Sequence, residues 1–137
     1  MMLRKAGFAE IAAALLQNLR KNTPYPCYDA VPDNALSPLL YAEVVGKRDT
    51  SSKTMFKEVF TVHIHAIAAP SDARTEVYQM IQAVEEAMTE DLILPEYVQN
   101  VLQTETGVQS FQKDETNEWH AVIGYEVMVC YGYKMKI

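Results

Sequence analysis

The tightest constraint on the fold lies near the end of the chain. Trp119, Ala121, Ile123, Tyr125, Val127, Val129 and Tyr131 fall on one parity there, and His120, Val122, Gly124, Glu126, Met128 and Cys130 fall on the other. A period of two sends the two sets to opposite faces of an extended backbone, so the pattern predicts a long, aromatic strand. Such a strand needs hydrogen-bonded neighbours to be stable. One is supplied by Phe56, Phe60, Val62, Ile64 and Ala66, which alternate with Lys57, Val59, Thr61, His63 and His65. That segment reads as a half-buried strand with one wetter face.

Two other periodicities fix the helices. Phe8, Ile11, Ala12, Leu15, Leu16 and Leu19 recur at helical spacing, which predicts a helix over Gly7–Lys21 that stops before Thr23-Pro24-Tyr25-Pro26. Arg4 and Lys5 ahead of this Ala- and Leu-rich stretch imitate a secretory signal, but Glu10 interrupts it, and Gln17 and Asn18 stand where a small-residue cleavage site would lie. The second helix is predicted from Asp72 to Glu90 on Ala73, Val77, Met80, Ile81, Val84 and Met88, with Ser71 or Asp72 as its N-cap. No stretch reaches the roughly 18–20 apolar residues of a membrane-spanning helix, which leads us to expect a soluble chain with no membrane partner.

The remaining segments complete the order. Tyr28 to Asn34 is an extended, proline-containing connection, and Leu39 to Val45 is a β-rich run. Gly46 to Thr54 is polar and reads as a solvated loop, long for a plain hairpin. Val98 to Gln109 carries weaker extended character, and Lys113 to Asn117 resembles a hairpin turn. The expected fold class is therefore α+β in the order helix-strand-strand-helix-strand-strand: a four-stranded antiparallel sheet with both helices packed on one face. At 137 residues this is a single domain, 1–137. With 49% hydrophobic residues the chain has enough apolar surface to form a core, which excludes wholesale disorder.

Charge and motif content narrow the function. A net charge of −6 lacks the basic footprint of a duplex-binding module. Neither a G-x-S-x-G elbow nor a glycine-rich phosphate loop occurs, so no catalytic residues, no nucleotide and no other cofactor are expected. Cys27 and Cys130 are isolated and read as reduced thiols. His63 and His65 lie on one side of a strand, a geometry that metal sites can use, but two ligands do not make a site. Cys27 and His120 would add to them only if the fold brought them together, so no metal is expected. The acidic run Glu85, Glu86, Glu90 and Asp91 matches no calcium loop and reads as a solvated helix end. What remains is surface: Val59, His63 and His65, with Val122, Met128 and Cys130, line the sheet face away from the helices, and Lys47, Arg48, Asp49 and Lys53 stand on the polar loop. These are the candidate interface residues.

The segment Tyr28-Asp29-Ala30-Val31-Pro32-Asp33-Asn34, continuing through Pro38-Leu39-Leu40-Tyr41-Ala42-Glu43-Val44, resembles the Y-D-x-V-P-x-x-A-x-x-P pattern and strand of the head-to-tail joining, or tail-completion, proteins of long-tailed bacteriophages. Val62-His63-Ile64-His65-Ala66, the helix after Asp72 and the terminal run Trp119 to Tyr133 follow in that family's order. The resemblance implies a non-enzymatic virion protein with a fold like that of tail terminators. Its members form a ring, commonly hexameric, at the head-proximal end of the tail tube. The implied partners are copies of itself, the tail tube protein and the head connector or stopper protein, with DNA only passing through the channel. Assembly in the cytoplasm of a host bacterium is implied as well. The residues themselves also leave open a small dimeric α+β module that binds a ligand or regulates.

Overall fold

The computed structural model describes residues 2–133. Its elements are α1 (Phe8–Asn22), β1 (Cys27–Tyr28), β2 (Leu39–Asp49), β3 (Met55–Ile67), α2 (Thr75–Ala87), β4 (Asn100–Lys113) and β5 (Trp119–Tyr133). The sheet has five strands in the order β1-β2-β3-β5-β4. All neighbours are antiparallel except β1, which runs parallel to β2 with Cys27 beside Leu40 and Tyr28 beside Tyr41. The expected four-stranded antiparallel sheet is thus corrected to a five-stranded mixed one. The extra strand is only two residues of a proline-flanked segment, too short to show any period. It is held by Leu40 N–H donating to Pro26 O at 2.8 Å and by the Arg20 guanidinium donating to Cys27 O at 2.9 Å.

Both helices cover one face of the sheet. Ile11, Leu15 and Leu19 of α1 and Val77, Met80 and Val84 of α2 pack on Leu40 and Ala42 of β2, on Phe60, Val62, Ile64 and Ala66 of β3, and on Ile123, Tyr125, Val127 and Val129 of β5. These are the parities that the alternation assigns to the core, and their removal from water is the main favourable term in folding. Asn18 Nδ2 donates to Ala87 O at 3.1 Å and ties α1 to the end of α2. Gln103 of β4 accepts from Leu92 N–H and donates to Met88 O, both at 2.8 Å, which secures the chain leaving α2.

Two further expectations are corrected. The polar stretch from Gly46 is strand as far as Asp49, pairing with Glu58 to Thr61, so the connection to β3 is confined to residues 50–54. Its polarity reflects a hairpin whose side chains find charged partners, not an open loop. Neither Ser71 nor Asp72 caps α2, which starts at Thr75 behind Arg74, with no side-chain cap. Ser71 Oγ instead accepts from Ala73 N–H, and Asp72 takes the Lys113 ammonium at 3.0 Å. The latter contact, first of all, holds the Asp72 carboxyl below the usual range.

Candidate functional site

The sheet face away from the helices carries the second parity of β3 and β5. His63 and His65 stand there beside Val122 and Gly124 of β5, and Glu43 and Tyr41 of β2 pair directly across from His63 and His65. Register therefore brings four polar or aromatic side chains together, and His120 of β5, which pairs with Ile67, lies diagonally beside His65 as a fifth. The His65 ring stacks on Tyr41 with centroids 4.0 Å apart and planes within 8°. Its Nε2 lies 2.6 Å from Glu43 Oε1, and its Nδ1 lies 3.0 Å from His120 Nε2. A carboxylate only accepts, so Nε2–H of His65 donates to Glu43, and a neutral His65 then accepts at Nδ1 from His120. His63 completes the group, its ring 6.4 Å from that of His65.

Burial dominates the electrostatics. It holds His120 below the ordinary histidine value, and the neighbouring His65 adds to this against the opposing pull of Asp114 and Glu118. Burial also raises the Tyr41 phenol, with a smaller contribution from the Glu43 carboxylate. The His65 side chain is only 11% exposed, whereas that of Glu43 is 47% exposed, so the cluster is anchored beneath and open above.

The sequence-derived interface set is divided by the fold. Arg48, Val59, His63 and His65 share the open face, where Arg48 Nη1 reaches Glu126 Oε2 at 2.9 Å. Val59 is nonetheless buried. Lys47 and Asp49 pair with Phe60 and Glu58 and thus belong to the helix side, and Lys53 is exposed in the hairpin connection. Lys47 Nζ lies 3.5 Å from the buried Glu58 carboxylate and over the Phe60 ring. Of Cys27 and His120, the two residues named as additions to His63 and His65, His120 joins them. Cys27 does not, since it is in the core with its Sγ near Tyr25 O. Glu43 and Tyr41 were missed because they look like ordinary strand residues until the β2–β3 register is known.

A second polar cluster lies on the helix side. Tyr131 donates to Glu58 Oε1 at 2.8 Å while accepting from Ala6 N–H at 3.0 Å, and Lys5 and Lys47 approach Glu58 Oε2, each at 3.5 Å. α2 ends at Ala87, short of the expected Glu90, and Glu90 in the chain just beyond it bonds to Lys21 and Asn22 of α1, tying that segment to the first helix. Cys27 and Cys130 are free and buried.

The chain matches a phage tail terminator family, described as "Putative tail termination protein", over residues 2–137. No match to it is found among curated proteins. Among solved structures, a chain from the virion of a native gene transfer agent particle superposes with a TM-score of 0.71 at 20% identity, covering 92% of this chain and 99% of that one. At that identity the likeness shows a shared fold.

Proposed function

The chain belongs to the phage tail terminator family and is a structural protein of a phage tail, and from that premise we propose that it forms a ring at the head-proximal end of the tail tube and joins the tail to the head connector. The observation that carries the reading is a family match spanning the domain from residue 2 to residue 137. The gene transfer agent chain, a component of a virion, supports it by sharing the fold over nearly its whole length.

The ring is hexameric, and each copy contacts the next through unlike surfaces, the kind of contact that generates a ring when its rotation closes. The β2–β3 hairpin, with Lys47, Arg48, Asp49 and Lys53, supplies one surface. The open sheet face around His63 and His65 supplies the other, with the buried Val59 beneath it as support. With a net charge of −6 in every copy, acidic residues that face the channel would keep passing DNA from adhering. The remaining partners are the tail tube and connector proteins, and assembly takes place in the cytoplasm of a host bacterium.

Native mass spectrometry and electron microscopy of the purified chain, alone and with tail tubes, test the reading. Six-membered rings at tube ends support it. A compact dimer carrying a bound metabolite, with tubes bare, overturns it in favour of a ligand-binding module. Removing residues 50–54 and closing the hairpin is expected to leave a folded monomer and free, unjoined heads and tails. Normal joining by that variant removes residues 50–54, Lys53 among them, from the interface.

A further inference from the structure

We propose that Glu43, His63 and His65 form a binding site for a divalent transition-metal ion, zinc being the best fit, on the open face of the sheet. One donor atom from each residue lies within 4.8 Å of the other two. Glu43 and His63 are direct cross-strand partners, and His65 is the next residue on the same face, so the three positions are set by the β2–β3 ladder. Ordered backbone holds the donors before any ion arrives, which limits the conformational entropy lost on binding.

The donor set selects the ion. Two imidazoles and a carboxylate are the ligands of open zinc sites, whereas calcium and magnesium call for oxygen-rich cages. In a tetrahedral site with bonds of about 2.0–2.1 Å, ligand atoms stand about 3.4 Å apart. His65 Nε2 and Glu43 Oε1, now 2.6 Å apart around one proton, open to admit the ion in that proton's place. The most distant pair closes by no more than about 1.4 Å, which side-chain torsions supply, and the fourth position is left for water.

The surroundings favour the same use. A metal-bound histidine is commonly oriented by a hydrogen bond from its other nitrogen. His65 has that partner in His120, 3.0 Å from Nδ1, and Tyr41 stacks on the ring and fixes its plane. With the ion on Nε2, His65 carries its proton on Nδ1 and donates it to His120. Glu43 faces solvent and gives the ion a path in.

The test uses the full chain without a histidine tag. Equilibrium dialysis against zinc, read by elemental analysis, is expected to give one ion per chain. Cobalt in zinc's place is expected to show the visible bands of a four-coordinate nitrogen and oxygen site. His63→Asn and Glu43→Gln are each expected to weaken binding at least tenfold, and His120→Phe by about 10–100-fold, the range for an orienting partner. Circular dichroism identifies any variant that fails to fold. Glu43→Gln, at a half-exposed position, keeps the test decisive if a histidine variant is lost. Less than one ion per chain at millimolar zinc overturns the site. So does binding that persists undiminished in His63→Asn and Glu43→Gln, which would place the ion on a thiol or elsewhere.

Discussion

Replacing Tyr131 by Phe removes one oxygen atom and nothing else, and the structure indicates what that atom is worth. The hydroxyl donates to Glu58 Oε1 at 2.8 Å and accepts from Ala6 N–H at 3.0 Å, and both partners are buried, Glu58 at 4% exposure and Ala6 at 1%. A hydrogen bond to a charged acceptor contributes about 1.5–3 kcal/mol, and a buried N–H left without a partner costs about 1–3 kcal/mol. The carboxylate keeps Lys5 and Lys47 at its other oxygen, which offsets part of the loss. The expected destabilisation is about 3 kcal/mol. With an unfolding entropy of about 2.1 cal/mol/K per residue, that lowers Tm by about 10 °C in a chain of this length. Urea unfolding at neutral pH measures it directly.

The same variant has a signature in pH. Burial, and next the Glu58 acceptor, hold the folded Tyr131 phenol far above its ordinary value. A raised folded value means stability that is fully present below about pH 10, where the unfolded tyrosine titrates, and lost as pH rises beyond it. Phe has no such loss, so the gap between wild type and Tyr131→Phe should narrow in alkali. A change under about 0.5 kcal/mol at neutral pH, the range of an inconsequential surface substitution, would refute the bridging role.

Leu15→Ala, at a fully buried position of α1, should cost about 2–5 kcal/mol in chemical unfolding, whereas Leu36→Ala, at 83% exposure, should change stability by less than about 0.5 kcal/mol. Gly132 sits at φ +113° with the Gln99 amide against the position of a Cβ, so Gly132→Ala should cost about 1–3 kcal/mol, while Gly46→Ala, with open space and no positive φ, serves as its control. The hydrogen bond to Glu105 raises the Glu85 carboxyl above its ordinary value, with burial and the Glu105 charge adding to it. Its contribution to stability is therefore complete below the unfolded glutamate value and lost as pH rises through the folded one. Glu85→Gln should flatten that part of a plot of Tm against pH, and an unchanged slope would count against the shared proton.

Alternation made β3 and β5 legible because a period of two is a local property and both strands keep one face in the core. Leu15 and Val84 were legible in the same way, from helical spacing. Gly46 to Asp49 were not, since their strand continues where its side chains meet Glu58 and Glu126 in place of core, and such polar residues look like loop until their partners are known. Cys27 and Tyr28 were lost because two residues carry no period. The histidine cluster was half legible. His63 and His65 share a face by parity alone, but placing Glu43, Tyr41 and His120 beside them requires the register of β2 on β3 and of β3 on β5, information held in pairings far apart in the chain.

That division bears on how a small tail protein can both fold and assemble. β3 is bonded on both sides, to β2 and to β5, so its backbone is fixed whatever its outward side chains are. Ile64 is fully buried under the helices, and His65, the next residue, points the other way onto Tyr41 and Glu43. Neighbours in sequence thus answer to different demands: Ile64 to core packing, which penalises any change of volume, and His65 to whatever meets the open face. Because the helices close the core from one side only, the opposite side of the same strands is free to carry contacts to another subunit or to an ion without loosening the interior. The β2–β3 hairpin keeps this arrangement, with Lys47 turning inward to Glu58 and Arg48 outward to Glu126. One ladder therefore transmits the rigidity of the core to the surfaces on which a ring would be built.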